Sequence, residues 1–400
     1  MPEAVIVAAS RTPIGRAVKG SMTEARPDDM SAFILNDVLS KVEGLQHSDI
    51  EDVIWGIGQP GGEGGYNIAR VASVLAGVNA PGVTVNRYCS SSLQTIRMAS
   101  HAIKSGEGDC FVAGGVETVS RYAHGAADSG PHNTQFTDAE NRTGRRAGEG
   151  SEAWAPPQGL PDIYIAMGQT AENVAQHKGV SRQAQDEWGV LSQNRAEESR
   201  SRGFFEREIT PYPLPDGAEM RQDDGIREGV TLEGVSQLQP VFRPDGTVTA
   251  GNCCPLNDGA AAVVVMSDTK AAHLGAKPLA RIVATGVSAL NPEIMGLGPV
   301  EACRQALGRA GMTIADIDHV EINEAFAAQV LPSADDLGID YDKLNPNGGS
   351  IALGHPFGMT GSRIMCTLLN GLEDADNTIG LESMCVGGGQ GMAMIIERLN

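Results

Sequence analysis

Asp49-Ile50-Glu51-Asp52-Val53-Ile54 returns later in the chain as Asp316-Ile317-Asp318-His319-Val320-Glu321. Both copies follow an amphipathic helical pattern with a leucine in its last turns, Leu39 in one and Leu307 in the other. After each copy come a strand, a Gly/Asn-rich stretch and a chemically reactive side chain at a helix start. Val53 precedes Cys89 by 36 residues, and Val320 precedes His355 by 35. The helices after Cys89 and His355 lead to further strands near 110–113 and 378–381, and the opening strand at 4–8 has its counterpart at 280–284. Strands alternating with helices of this length indicate βαβ units and mostly parallel sheets. The repeat therefore predicts an α/β protein of two similar halves. Ligands in such folds lie beyond the carboxyl ends of the strands, where helix N-termini point. If the halves pack about a pseudo-twofold axis, Cys89 and His355 face one cleft.

The first of these reactive positions lies in Thr84-Val85-Asn86-Arg87-Tyr88-Cys89-Ser90-Ser91-Ser92-Leu93-Gln94. Residues 84–86 read as the end of a short strand. Leu93, Ile96, Ser100 and Ile103 then share one helix face, and Lys104 with Gly106 closes that helix. Unpaired N–H groups and the positive end of the macrodipole at a helix start favour thiolate, which predicts a nucleophile at Cys89. The plainer reading is a small buried residue among capping serines.

Composition narrows the functional classes. A chain of 400 residues exceeds one simple core and predicts two or three domains. A formal charge of -20 argues against nucleic acid and anionic membrane as partners. The seven cysteines lack CxxC or Cys/His ligand spacing, so neither a disulfide framework nor a metal site is expected, and reduced thiols in the cytoplasm fit best. The N-terminus runs straight into a strand, and no apolar run reaches the length of a membrane span, so no export or insertion signal is expected.

Between the halves, residues 121–248 differ in character. The stretch 125–161 is polar, rich in Gly, Pro, Asp and Arg, and reads as loop. Helices are expected over 167–177 and, with Ser181 as N-cap, over 181–200, ending at the Gly203-Phe204-Phe205 break. Residues 206–248 read as short strands and turns punctuated by prolines. Long loops on a rigid scaffold usually carry binding; a decorative or oligomer-forming insertion is the alternative.

Four more stretches carry chemistry. Asn345-Pro346-Asn347-Gly348-Gly349-Ser350-Ile351-Ala352-Leu353-Gly354-His355-Pro356 places a histidine at a Gly-bounded turn into a helix. Cys–His pairing is a standard route to an activated thiolate. Met384-Cys385-Val386-Gly387-Gly388-Gly389-Gln390-Gly391 sets a second cysteine beside backbone amides suited to an oxyanion, or forms only a glycine-rich hairpin. Glu321-Ile322-Asn323-Glu324-Ala325-Phe326-Ala327 ends a strand, where Asn323 either holds a water, orients His355, or caps a helix. Thr249-Ala250-Gly251-Asn252-Cys253-Cys254-Pro255-Leu256-Asn257-Asp258-Gly259-Ala260 either lines a tunnel or makes a tight connection into a buried strand.

Taken in this order the motifs resemble the thiolase family, the acetyl-CoA C-acyltransferases. The match is carried by Asn86-Arg87-Tyr88-Cys89-Ser90-Ser91, Asn323-Glu324-Ala325-Phe326, Gly354-His355-Pro356 and Cys385-Val386-Gly387-Gly388-Gly389. Gly114-Gly115-Val116-Glu117 and Met295-Gly296-Leu297-Gly298-Pro299 extend it across the chain. The related ketoacyl synthases lack the Cys-x-Gly-Gly-Gly stretch and match less well.

The resemblance implies a five-layered α-β-α-β-α fold: an N-terminal half at 1–120 completed by 249–272, a loop domain at 121–248 that holds coenzyme A, and a C-terminal half at 273–400. It implies ping-pong acyl transfer between CoA thioesters. Cys89 would carry the acyl group after His355 takes its proton, and Cys385 would exchange a proton with the acetyl-CoA α-carbon. Asn323, through a water, would form one oxyanion hole with His355; the N–H groups of Cys89 and Gly387 would form the other. Arg227, Phe242, Cys254, Met167, Met295 and Phe326 would line the CoA and acyl tunnel, with Arg227 offering a local cation in an acidic chain. Coenzyme A is a substrate, no cofactor or metal is implied, and a homodimer or homotetramer is expected.

At family positions where a CoA-contacting serine often stands, this chain has Gly234 and Cys254. Ala166 precedes Met167 where acetoacetyl-specific relatives tend to have histidine, and Ser92 follows Cys-Ser-Ser where glycine is usual. Short-chain preference is therefore not implied. Two further readings remain open at this point: a non-catalytic acyl-CoA or lipid-binding protein of the same fold, and a structural or redox thiol protein.

Overall fold

The computed structural model describes residues 2–126, 128, 130–149 and 153–399. The first half runs β1 (Ala4–Arg11), β2 (Gly15–Arg16), α1 (Pro27–Ser40), β3 (Asp52–Gly56), α2 (Ile68–Leu75), β4 (Gly82–Val85), α3 (Ser91–Ser105) and β5 (Cys110–Thr118). The intervening stretch holds α4 (Thr137–Glu149), α5 (Met167–Lys178), α6 (Arg182–Ser201), β6 (Tyr212–Pro213), β7 (Glu219–Met220) and α7 (Leu232–Ser236). Next come β8 (Asn257–Ser267) and α8 (Asp268–Leu274). The second half is β9 (Ala280–Ala289), α9 (Gly298–Ala310), β10 (His319–Ile322), α10 (Ala327–Leu337), α11 (Ser350–Leu353), α12 (Thr360–Asp374), β11 (Ile379–Val386) and β12 (Gln390–Arg398).

The duplication is visible in the sheet. Its order is β10-β11-β12-β9-β1-β8-β5-β3-β4, with β2 beside β8. Read outward from the β1–β9 junction, the two halves repeat each other: β8 and β12 come first, then β5 and β11, then β3 and β10. The position of β4 is taken in the second half by a parallel bridge between Val320 and Leu344. The expectation of mostly parallel sheets is corrected. Pairing is parallel for β3–β4, β3–β5 and β10–β11, and antiparallel at β1–β8, β1–β9, β5–β8, β9–β12 and β11–β12. Only strands joined by a crossover helix run parallel; β11 and β12 are joined by a tight turn, which dictates the opposite sense.

Side-chain alternation with period two sorts the strands into faces. Val53 and Trp55 of β3, Val112 of β5 and Val264 of β8 pack with Ile34, Leu35 and Val38 of α1 and Ile68 of α2. Ile54, Phe111 and Val265, on the opposite face, pack with Leu93, Ile96 and Ile103 of α3. The same apolar cluster contains Ile364, Leu368 and Leu372 of α12 and Met384, Met392 and Met394 of β11 and β12. The remaining face of the second half-sheet meets α9 and α10 through Ala306, Leu307, Val330 and Leu331. The result is the five-layered α-β-α-β-α arrangement, with α3 and α12 forming the shared central layer.

These two helices meet at their N-termini. The Ser92 Oγ accepts the Ser362 N–H at 2.9 Å, so the serine found in place of the usual glycine ties one half to the other. Gly361 lies against the Leu93 backbone, and a β-carbon there would sit 2.6 Å from the Leu93 Cβ.

In the intervening stretch, α5 and α6 form where expected. Ser181 caps α6 by accepting the Ala184 N–H at 3.1 Å, and Gly203, at φ 77°, ends the segment. The loop expected over 125–161 is corrected: it contains α4. Of that helix only Ala139 is buried, so there is no apolar stripe to read. It is held instead by charge. Arg142 and Arg146, one turn apart, reach the two oxygens of buried Glu293 at 3.2 and 3.4 Å.

Substituting Gly361→Ala is expected to destabilise the protein by about 1–3 kcal/mol through overpacking against Leu93. A lowered urea midpoint relative to wild type is the readout.

Candidate active site

Cys89 sits at the handover from β4 to α3 through the short helical turn Tyr88–Ser90. Tyr88 adopts φ 42°, a left-handed conformation that costs a non-glycine residue roughly 1–3 kcal/mol unless its neighbours enforce it. Here they do. The Asn86 Oδ1 accepts the Tyr88 N–H at 2.8 Å, and Ser91 Oγ accepts the Arg87 N–H at 2.9 Å while donating to the Tyr88 carbonyl at 2.7 Å. Asn86 and Ser91 thus fold the turn that presents the cysteine.

The backbone N–H of Cys89 and that of Gly387 both bear on the Cys89 sulfur. Gly387 comes from the other half of the molecule, in the turn between β11 and β12. Gly388 and Gly389 in that turn have φ of 78° and 77°, and a side chain at Gly389 would collide with the Leu290 carbonyl, so this tight turn requires glycine. The glycine-rich hairpin is therefore real, and it sets Cys385 near Cys89. Cys385 is fully buried and electrostatically coupled to Cys89, and Cys254 feels both thiols.

The backbone N–H groups at this helix start favour thiolate, as expected, but a larger effect opposes them. Burial pushes the Cys89 thiol up to about 11, outweighing the two N–H groups that pull it down. Burial, with a smaller contribution from the Cys89 charge, also drives Cys385 well above the ordinary thiol range.

His355 is buried and sits just ahead of α12. Its backbone N–H donates to Asn257 Oδ1 at 2.9 Å, which gives the 249–260 stretch a role in placing the histidine. Its Nδ1 is 2.6 Å from Thr360 Oγ1, and its Nε2 is 3.3 Å from Asn323 Nδ2. Burial, reinforced by the Arg363 charge, drives the imidazole down to about 3. Both ring nitrogens are engaged by these neighbours, so a resting Cys89–His355 ion pair is not what the structure presents. Burial thus favours the uncharged form of both the Cys89 thiol and the His355 imidazole.

Five of the six residues expected to line the substrate tunnel lie in one apolar cluster with Cys385. Met295, Phe326 and Cys385 are buried there, and Met167, Phe242 and Cys254 pack against them. The rings of Phe242 and Phe326 meet edge to face at 6.1 Å. An antiparallel bridge between Cys253 and Phe326, and the Cys254 N–H on the Ala325 carbonyl at 3.1 Å, bring the 249–260 stretch onto the Asn323 stretch. Arg227 lies outside this cluster. Its side chain is exposed and its backbone N–H donates to Gln193 Oε1 at 2.9 Å. Gly234 lies in α7, where its N–H meets the Thr231 hydroxyl.

Two buried carboxylates that frame the site were quoted in sequence motifs without a role. Glu117 accepts the N–H groups of Gly58 and Gly358 at 2.7 and 2.8 Å, that of Gln59 at 3.2 Å and the Tyr122 hydroxyl at 2.9 Å. It binds the loop after His355 to the first half. Glu324 accepts from Trp188, Ser192, Asn345 and the Ile351 N–H, binding α6 to the turn before His355. A glutamate at the end of a strand inside an otherwise apolar motif was the available signal for both. Among the described residues no group of three or more His, Cys, Asp or Glu side chains is arranged to hold a metal ion, and no helix is long and apolar enough to cross a membrane.

Comparison with known proteins places this geometry. Residues 4–269 match the family profile "Thiolase, N-terminal domain" and residues 276–398 match "Thiolase, C-terminal domain". The chain is 43% identical to a 3-ketoacyl-CoA thiolase of Aeromonas hydrophila subsp. hydrophila, with all of both chains covered. It is 40% identical to a beta-ketoadipyl-CoA thiolase of Acinetobacter baylyi and 41% identical to an acetyl-CoA acetyltransferase of Cupriavidus necator, again over the full length of each. The crystal structure of the Bacillus anthracis acetyl-CoA acetyltransferase superposes with a TM-score of 0.86 at 35% identity, covering 100% of this chain and 99% of that one.

Because burial holds the Cys89 thiol near 11, its alkylation in the free protein should accelerate continuously as pH rises through 9 and 10. The rate of iodoacetamide incorporation at Cys89 across that range checks this; a plateau below pH 8 would show a thiolate already present at rest.

Proposed function

This chain belongs to the thiolase family and is an acyltransferase, and we propose that it carries the acyl group on Cys89 and uses His355, Asn323 and Cys385 to make and break the carbon–carbon bond. The observation that carries this reading is the pair of backbone N–H groups, from Cys89 in one half and Gly387 in the other, that converge on the Cys89 sulfur. An acyl oxygen on that sulfur would find two fixed donors without reorganisation, which is the arrangement that stabilises a tetrahedral oxyanion.

In the thiolytic direction a 3-ketoacyl-CoA enters. Cys89 gives its proton to His355 Nε2 and its sulfur bonds to the C3 carbonyl carbon. The C2–C3 bond then breaks, and its electron pair leaves as the enolate of acetyl-CoA. Cys385 protonates that carbon, and the imidazolium with a water held by Asn323 bears the enolate oxygen. Free CoA, deprotonated in turn, attacks the acyl-cysteine and releases the shortened acyl-CoA. The reverse sequence condenses two acetyl groups.

The two neutral, buried partners suit this scheme. A thiol and an imidazole kept uncharged by desolvation need no water stripped away at the moment of proton transfer. Covalent capture divides a difficult exchange into two steps, and a soft sulfur suits a thioester or ketone carbon.

The relatives named 3-ketoacyl-CoA thiolase and beta-ketoadipyl-CoA thiolase support a 3-ketoacyl-CoA substrate, and a role in fatty-acid β-oxidation is part of the proposal. The apolar walls of Phe242, Phe326, Met167 and Met295 support an acyl or pantetheine chain beside Cys385. Arg227 supplies an exposed cation for the nucleotide phosphates. A cytoplasmic homodimer or homotetramer completes the proposal.

Two variants separate the steps. Cys89→Ala should lose both CoA exchange with acetyl-CoA and thiolysis of acetoacetyl-CoA. Cys385→Ala should keep the exchange while thiolysis falls by about 10²–10⁴-fold, the usual range for losing a positioned proton donor. Thiolysis that survives Cys89→Ala would refute the proposal.

A further inference from the structure

A buried arginine stands at one end of a hydrogen-bond chain that terminates in the His355 imidazole. Arg363, in the first turns of α12, donates from Nη2 to Ser350 Oγ at 2.8 Å. Ser350 Oγ is 2.6 Å from Asn323 Oδ1. The other end of that amide, Nδ2, is 3.3 Å from His355 Nε2. His355 Nδ1 lies 2.6 Å from Thr360 Oγ1, which itself donates to the Pro356 carbonyl at 2.8 Å. Arg363, Ser350, Asn323, His355 and Thr360 are all buried.

The chemistry of the two ends gives this chain one direction. A guanidinium has donors and no acceptor, so Ser350 must accept from Arg363 and spend its single proton elsewhere. Its other partner is Asn323 Oδ1, which accepts. The Asn323 amide is thereby prevented from turning over, and its NH₂ must face His355. An NH₂ facing Nε2 requires that nitrogen to be the unprotonated one, so the ring proton lies on Nδ1 and is donated to Thr360. Thr360 can receive it because its own proton is committed to a carbonyl acceptor.

We propose that Arg363 and Ser350 are positioning residues that, through Asn323, fix the His355 tautomer with its lone pair on Nε2. Without them the amide has no reason to prefer either orientation. With its oxygen turned toward the ring, Nε2 would take the proton, and the base would be blocked before substrate arrives. Arg363 has a second influence in the same sense: its charge opposes formation of the imidazolium at rest. The two residues touch no part of the reacting centre themselves. Their role rests on the reading of His355 as the base for Cys89.

The test is a double-mutant cycle between Ser350 and Asn323, read by kcat for acetoacetyl-CoA thiolysis. Ser350→Ala should lower kcat by about tenfold or more with KM changed less than twofold. In an Asn323→Ala background the same substitution should change kcat less than twofold, because the side chain it orients is gone. Arg363→Met should reproduce the Ser350→Ala loss, and Arg363→Lys, which also has donors only, should restore most of it. Histidine ¹⁵N NMR reads the tautomer directly: the His355 signals, identified by their loss in His355→Gln, should show an unprotonated Nε2 in the wild type and a mixture in Ser350→Ala. Equal losses from Ser350→Ala with and without Asn323, or an unchanged tautomer, would overturn the proposal. Cys89→Ala is run in parallel. Thiolysis surviving in Cys89→Ala would sink the acyl-cysteine mechanism while leaving the cycle readable as a coupling, so the two failures are distinct.

Discussion

The N-terminal contact between α3 and α12 is the constraint on which the site depends. Two helices share one layer between two half-sheets, and at their starts Gly361 lies against the Leu93 backbone while Ser92 accepts the Ser362 N–H. Cys89 is two residues before the first helix begins, and His355 is five before the second. Fixing the helix starts therefore fixes the two reactive groups, each in a turn that its own neighbours hold: Asn86 and Ser91 around Tyr88, Asn257 and Thr360 around His355. The hairpin of the second half then delivers Cys385 and the Gly387 N–H from the opposite side. The candidate site draws on both halves.

Electrostatics follow from this burial. In water a helix start would lower a cysteine's proton affinity, but here desolvation is the larger effect and favours the uncharged thiol and imidazole. Charge is allowed to appear only where donors already point. The same economy explains the buried carboxylates: Glu117 and Glu324 each collect four donors and use them to fasten the loops flanking His355. The overall charge of -20 is no obstacle to an anionic substrate at such a site, because a repulsive global field is screened within about 10 Å at ordinary salt while local donors act at contact distance.

Much of this was legible in the residues. The recurrence of 49–54 at 316–321, with matched distances to Cys89 and His355, anticipated two similar halves, which the mirrored strand order bears out; the five layers came from the resemblance to the thiolase family. The helix starting near Cys89 and the Ser181-capped helix follow period and capping rules and formed as expected. Four features escaped, each for a physical reason. Parallel pairing was over-assigned because β1, β8, β9 and β12 pair antiparallel across long stretches of chain that leave no local pattern, and only β11–β12 is reversed by a short glycine turn. The α4 helix carries no apolar stripe, since Arg142 and Arg146 hold it through Glu293. The protonation of Cys89 depends on how deeply the whole fold buries it, which no local motif encodes. Ser350, Thr360 and Arg363 were likewise invisible as a set, because a hydrogen-bond chain assembled from β10's end, α11 and α12 has no spacing signature.

Four thiols, Cys89, Cys253, Cys254 and Cys385, share one electrostatic neighbourhood, and the account stands on which of them carries the acyl group. Peptide mapping by mass spectrometry after brief exposure to acetyl-CoA and acid quenching answers this directly. The account predicts an acetyl group on the peptide containing Cys89, with Cys253, Cys254 and Cys385 unmodified. An acetyl group on Cys385, Cys254 or Cys253, with Cys89 free, would contradict it.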